Sequence, residues 1–107
     1  MNRFKMTLVA AASLALISSS AFAVDVEALM KDSKCFKCHA PTKDKDGPSF
    51  HKTAEKYKGK ADAEQKLITH ITTGPKYKVD GEEQEHAKIK TTDAGDLKAV
   101  VEWMLKQ

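Results

Sequence analysis

The apolar residues of this chain come in short groups separated by polar, turn-forming stretches. From Val24 to Phe36, Val26, Leu29 and Met30 share one helical face, and Asp25 is placed to cap it. Pro41–Pro48 (PTKDKDGP) is a polar loop with a turn at Asp46-Gly47-Pro48. Ser49 caps a short helix running to about Lys58, in which Phe50, Ala54 and Tyr57 recur at i, i+4 and i+7, and Gly59 ends it. Ala61–Thr73 predicts a helix with Leu67, Ile68 and Ile71 in one stripe, stopped by Gly74-Pro75. Lys76–Thr91 is polar, charged and non-periodic and reads as loop. Thr92 or Asp93 caps a last helix to about Lys106, with Leu97, Val100, Val101, Met104 and Leu105 on its inner side. No segment reads convincingly as a strand, so the expected fold class is all-α, with short helices and long connections.

The first apolar group differs from the others. Met6–Ile17 is an uninterrupted apolar run behind Arg3 and Lys5, and Ser18–Ser20 then leads into Ala21-Phe22-Ala23. A basic start, an apolar stretch and a small-residue site are the order of a secretory signal. The run is shorter than the roughly 20 residues of a membrane span. The expected organisation is a signal peptide over residues 1–23, cut after Ala23, and a domain over residues 24–107. An uncleaved N-terminal anchor is the competing reading. The twin-arginine pair is absent, so export of an unfolded chain is expected, with any cofactor installed afterwards. The destination is an oxidising compartment, the periplasm.

Composition narrows the classes. The chain has 107 residues, 18 of them basic and 15 acidic. Arg3 and Lys5 leave with the leader, and the rest is close to neutral. That balance is too mild and too evenly mixed for a nucleic-acid protein. A domain this small, with so much loop, buries little by itself, and such domains recruit a disulfide, a metal or a cofactor.

The chemistry begins at Cys35-Phe36-Lys37-Cys38-His39. C-x-x-C-H is the attachment motif of c-type haem. Nearly one helical turn separates the two cysteines, so their sulfurs can form thioethers to the two vinyl groups along one haem edge. His39 then projects toward the iron as the proximal ligand. A thioredoxin-like redox pair would need a βαβ setting, and a zinc site would need a second ligand pair. His51, His70 and His86 are too scattered to supply one. A plain disulfide would leave the following histidine without a purpose. One covalent haem c is the cofactor expected.

With these residues in view, the chain resembles the small bacterial class I monohaem cytochromes c. The likeness runs over essentially all of residues 24–107. It rests on Ala28-Leu29-Met30, the Cys35–His39 motif, Gly47-Pro48, Ala54–Lys60, the Leu67–Gly74 helix end and Asp96–Trp103. The resemblance implies the class I cytochrome c fold, with the first and last helices crossing beside the haem. It implies that Trp103 takes the aromatic position of the last helix in the haem environment. It also implies that the Pro48 carbonyl accepts a hydrogen bond from the Nδ1–H of His39, fixing tautomer and ring orientation.

The chain departs from the family at the sixth iron ligand. In these cytochromes a methionine from the loop before the last helix supplies it. Here that loop, Gly74–Asp93, contains no methionine. Met30 and Met104 lie on helices in step with core positions. His86 is the only imidazole in the loop and stands close to where the methionine would fall. It is the expected distal ligand, with Lys78, Lys88 or an open position as alternatives. His51 reads as exposed, and His70, off the Leu67/Ile68/Ile71 stripe, as solvent-facing. Imidazole favours ferric iron relative to thioether, so a bis-His centre implies a lowered potential.

No nucleophile–base set remains beyond the iron ligands, and no enzymatic activity is expected. The expected function is a periplasmic electron carrier that docks transiently with other redox proteins. Lys34, Lys37, Lys43 and Lys45 cluster in sequence around the attachment motif and could steer an acidic partner. Two alternatives stand beside it: a haem-based binder or sensor of NO or CO, and the haem subunit of a larger periplasmic oxidoreductase.

Overall fold

A computed structural model of the chain describes residues 24–107. The expected leader, residues 1–23, lies outside the described residues. The elements in order are α1 (Val26–Asp32), α2 (Cys35–Cys38), α3 (Phe50–Tyr57), α4 (Ala63–Thr73), β1 (Lys76–Val79), β2 (Glu82–Glu85) and α5 (Ala94–Leu105). The fold is mostly helical, as the hydrophobic pattern predicts, but it includes a hairpin that the pattern did not.

The caps explain where the helices begin. The Asp25 carboxylate accepts from the Ala28 N–H at 3.1 Å, the Ser49 hydroxyl from the Lys52 N–H at 3.1 Å and the Asp93 carboxylate from the Asp96 N–H at 2.9 Å. Each satisfies an N–H that the helix's own ladder leaves free. Asp62, ahead of α4, makes no such side-chain bond. Gly74 ends α4 in the left-handed region, with φ +61°.

Two expectations need correction. The single helix read from Val24 to Phe36 is broken at Ser33-Lys34, where Lys34 takes a left-handed φ of 64°. Buried Ser33 is claimed by another part of the chain: its hydroxyl accepts from the Lys90 N–H at 2.9 Å. The second correction falls in Lys76–Thr91, read as loop. Its first half is an antiparallel hairpin in the register Lys76↔Glu85, Tyr77↔Gln84, Lys78↔Glu83, Val79↔Glu82. Asp80 and Gly81 both have positive φ, 50° and 80°. A two-residue Asp-Gly connection suits a hairpin because its backbone twist matches that of the strands. β1 alternates over only four residues, Lys76 and Lys78 exposed and Tyr77 and Val79 half-buried, and β2 is exposed and polar throughout, so Asp80-Gly81 was the clearer signal.

α5 is the centre of the packing and meets α1, α3 and α4. Met30, Val100 and Val101 are fully buried, joined in the core by Phe50, Leu67, Ile71, Ile89, Leu97 and Met104. Trp103 meets Phe36 and Phe50 edge to face at 6.1 and 5.2 Å, an arrangement that suits the aromatic quadrupole. Ile89 anchors the segment before α5: its side chain is in the core and its N–H donates to the Ile71 carbonyl at 2.9 Å. That tie stretches the chain between β2 and α5 across the end of α4.

Candidate haem-binding site

A cleft of about 810 Å³ opens between the α2 side of the molecule and the α4–hairpin side. That size lies within the roughly 300–1,000 Å³ of cofactor sites. Its walls carry Cys35, Cys38 and His39 on one side, and His70 and His86 on the other.

The cysteine side is built over a short stretch of chain. Cys35 and Cys38 bracket the single turn of α2, are half-buried and are not joined to each other by a disulfide. Burial pushes the Cys35 thiol up, a backbone hydrogen bond partly opposes this, and neighbouring Cys38 adds to the rise. His39 follows in extended backbone. Its Nδ1 donates to the Pro48 carbonyl at 2.7 Å. A carbonyl only accepts, so Nδ1 carries the proton and Nε2 keeps its lone pair. The ring lies against Gly47, where an added Cβ would stand 2.4 Å from His39 Cε1. The loop holding Pro48 is in turn pinned by Gly47 N–H on the Cys38 carbonyl at 2.9 Å and Ser49 N–H on the Asp44 carboxylate at 2.8 Å.

His86 directly follows β2 on the opposite wall. Its backbone N–H donates to the Pro75 carbonyl at 2.9 Å, which ties it to the end of α4. Its Nδ1 donates to the Ala87 carbonyl at 2.7 Å, so here too the lone pair is left on Nε2. The His39 and His86 rings stand 6.1 Å apart, centroid to centroid. With a metal–nitrogen bond of about 2.0 Å and a nitrogen about 1.1 Å from its ring centre, imidazoles on opposite sides of one metal have centroids roughly 6.2 Å apart. Spacing, tautomers and the adjacent thiol pair all suit a haem iron.

Some of the remaining residues stand where the sequence places them and others do not. His70 is exposed, as expected, but its exposed ring borders the cleft and meets His86 edge to face at 4.5 Å. It lies three residues after Leu67 and next to Ile71, both of which also line the cleft, so the i, i+3 spacing held the clue. Burial pushes its pKa down, and the rings of His86 and His39 and the Lys56 ammonium add smaller pushes the same way. Trp103 does not line the cleft; it backs Phe50, which does. Met104 belongs to the core and also touches the cleft wall, whereas Met30 lies wholly inside. His51 is exposed, with Nδ1 donating to the Gln107 carbonyl at 3.2 Å. The lysine cluster is rearranged as well. Lys34 and Lys37 border the cleft, but Lys43 does not, and Lys45 instead donates to the Phe36 carbonyl at 3.1 Å. Lys52 and Lys56 from α3 and Lys78 from β1 complete the border, brought there by folding from distant positions. Tyr77, which sequence reasoning missed, lies 6.1 Å from His86.

A helical frame around a C-x-x-C-H turn, with imidazoles facing across a cofactor-sized cleft, defines a c-type cytochrome. The sequence pattern of the family described as Cytochrome c matches residues 23–107, and the chain belongs to that family. It is accordingly a cytochrome c that carries one covalent haem c at Cys35/Cys38 for electron transfer, as a member of a family whose proteins are typically carriers and not enzymes. Among solved structures it is similar to the class 1 cytochrome MtoD from Sideroxydans lithotrophicus ES-1, with 49% identity and a TM-score of 0.70 over 76% of this chain and 90% of that one. It is also similar to Nitrosomonas europaea cytochrome c552, with 25% identity and a TM-score of 0.56 over 74% of this chain and 95% of that one. Cytochrome c2 of Rhodocyclus tenuis is 40% identical over 50 residues, which are 47% of this chain and 54% of that protein. The match therefore spans about half the length of that relative.

Proposed function

We propose that this cytochrome is an exported, periplasmic electron carrier whose haem iron is ligated by His39 and His86 and which works at lower potential than methionine-ligated relatives. The observation that carries this reading is the pair of facing imidazoles 6.1 Å apart, each with Nδ1 engaged by a backbone carbonyl and Nε2 left as the donor. Bonding at Nδ1 raises the basicity of Nε2 and holds the ring plane, as partners of metal-bound histidine do elsewhere. The competing methionine, Met104, is 6% exposed and part of the core, so leaving its place for the iron would cost packing. When bound, the haem supplies the redox couple. The protein's own groups attach it, hold its axial donors and set its surroundings.

Export is supported by the order of the leader: basic residues, an apolar run, then Ala21-Phe22-Ala23. Among the described residues no helix is long and apolar enough to cross a membrane. The border of Lys34, Lys37, Lys52, Lys56 and Lys78 around the cleft supports transient docking with redox proteins carrying an acidic face.

Ligation is tested by low-temperature EPR and near-infrared MCD of the oxidised protein, which identify both axial ligands together. A bis-imidazole signature is expected, and a methionine–iron charge-transfer band would sink the reading. His86→Met should raise the reduction potential and introduce that band, whereas Met104→Leu should leave the spectrum unchanged. Electron exchange with an acidic redox partner should slow as salt rises.

A further inference from the structure

The cleft holds a third imidazole, His70, that neither haem attachment nor the proposed ligation uses. It sits on α4, an eleven-residue helix whose buried Leu67 and Ile71 fix it against the core. Its ring meets that of His86 edge to face at 4.5 Å and lines the same cleft. Among the described residues nothing hydrogen-bonds its ring nitrogens, whereas Nδ1 of His86 is held by the Ala87 carbonyl. The two histidines also differ in what carries them. His70 is part of a helix, while His86 lies in the irregular chain between β2 and α5, held through the Pro75 and Ile71 carbonyls.

We infer that His70 is a reserve distal ligand: when His86 leaves the iron, the His70 imidazole takes the sixth position. The inference rests on the reading of His39 and His86 as resting ligands. The exchange breaks one iron–nitrogen bond and makes another of the same kind, with no change of charge or oxidation state. Neighbouring rings in one cleft need only side-chain turns and a small shift of the irregular segment. A tethered imidazole competes at an effective concentration of order millimolar, far above that of a dissolved diatomic gas. The iron therefore stays low-spin and closed to outside ligands even while His86 moves, which suits a carrier and works against a gas sensor.

The test uses the haem-loaded protein. Ferric His86→Ala should remain low-spin, with EPR g values changed by the different ring orientation. His86→Ala/His70→Ala should become high-spin and bind cyanide roughly tenfold faster than the single variant. A folded His86→Ala protein that is already high-spin overturns the inference and leaves His86 as the resting ligand. So does a changed low-spin signal that survives removal of His70, since another side chain then fills the position. A signal identical to wild type in both variants overturns the His86 reading itself, and a high-spin His70→Ala protein makes His70 the resting ligand. A second measurement needs no change at His86. Cyanide should bind ferric His70→Ala several-fold faster than the native protein, with the same resting spectrum, because the reserve imidazole no longer recaptures the iron. An equal rate overturns the inference.

Discussion

The two walls of the cleft are made by opposite means. The cysteine wall comes from one short segment, Cys35–Ser49, cross-tied by hydrogen bonds between residues near each other in the chain: His39 to Pro48, Gly47 to Cys38, Ser49 to Asp44. The wall bearing His70 and His86 is gathered from α4, the hairpin and the segment leading into α5. It is held by links such as Ile89 to Ile71 and Lys90 to Ser33, which span much more chain. Closing short loops costs less entropy than bringing distant segments together. The first wall is therefore set locally, and the second depends on the core beneath it. On the proposed ligation, the donor that stays put is on the first wall and the donor that can be exchanged is on the second.

The largest test removes what joins the walls. With both Cys35 and Cys38 replaced by alanine, the chain loses its haem, and its small core must fold alone. Only eleven hydrophobic residues are buried among those described, so the apo chain should be largely disordered. A well-dispersed NMR spectrum of that variant would contradict this.

An intermediate test compares glycines on the two walls. At Gly47 a Cβ would meet the His39 ring at 2.4 Å, and the ring cannot turn away without losing Pro48. At Gly74 it would meet the His86 carbonyl at 2.7 Å in a backbone already at φ +61°. Each alanine substitution should cost about 1–3 kcal/mol in denaturant unfolding. The spectra should separate them: Gly47→Ala disturbs the resting haem spectrum, and Gly74→Ala leaves it close to native but speeds cyanide binding. The same response in both variants would erase the distinction between the walls.

The smallest effect concerns acid. The Ser49 N–H, and then Lys52, hold the Asp44 carboxyl below the usual carboxylate range. A carboxyl with a lowered native pKa contributes stability that is present above its unfolded pKa, about 3.9, and is lost as pH falls through the native value. Asp44→Asn should make the onset of acid unfolding less steep below about pH 4 and leave stability near neutrality little changed in its pH dependence. An unaltered acid limb would show that this tie does not matter to the cysteine wall.

Much of the helical frame was legible because its causes are local. Asp25, Ser49 and Asp93 cap the helices that follow them, and Leu67/Ile71 and Val100/Val101 turn to the core at helical spacing. C-x-x-C-H names its chemistry because the haem edge it serves is matched by a single turn of backbone. The break at Ser33-Lys34 was not legible, since what holds buried Ser33 is the Lys90 N–H, 57 residues away. Nor was the hairpin, because β1 alternates over only four residues, too few to stand out, and β2 is polar on both faces and carries no period-two signal.

By itself, then, the order of residues determined the capped starts of α1, α3 and α5, the haem attachment motif and the absence of methionine from the loop before the last helix. Tertiary structure alone decided that His70 stands against His86, that Trp103 backs Phe50 instead of lining the cleft, and that Lys52, Lys56 and Lys78 border it while Lys43 and Lys45 do not. The reason is one of range. Caps, turns and a C-x-x-C-H turn are settled by atoms a few bonds apart along the chain, whereas the direction in which α4 and the hairpin present their side chains is set by where Leu67, Ile71 and Ile89 find room in the core around α5.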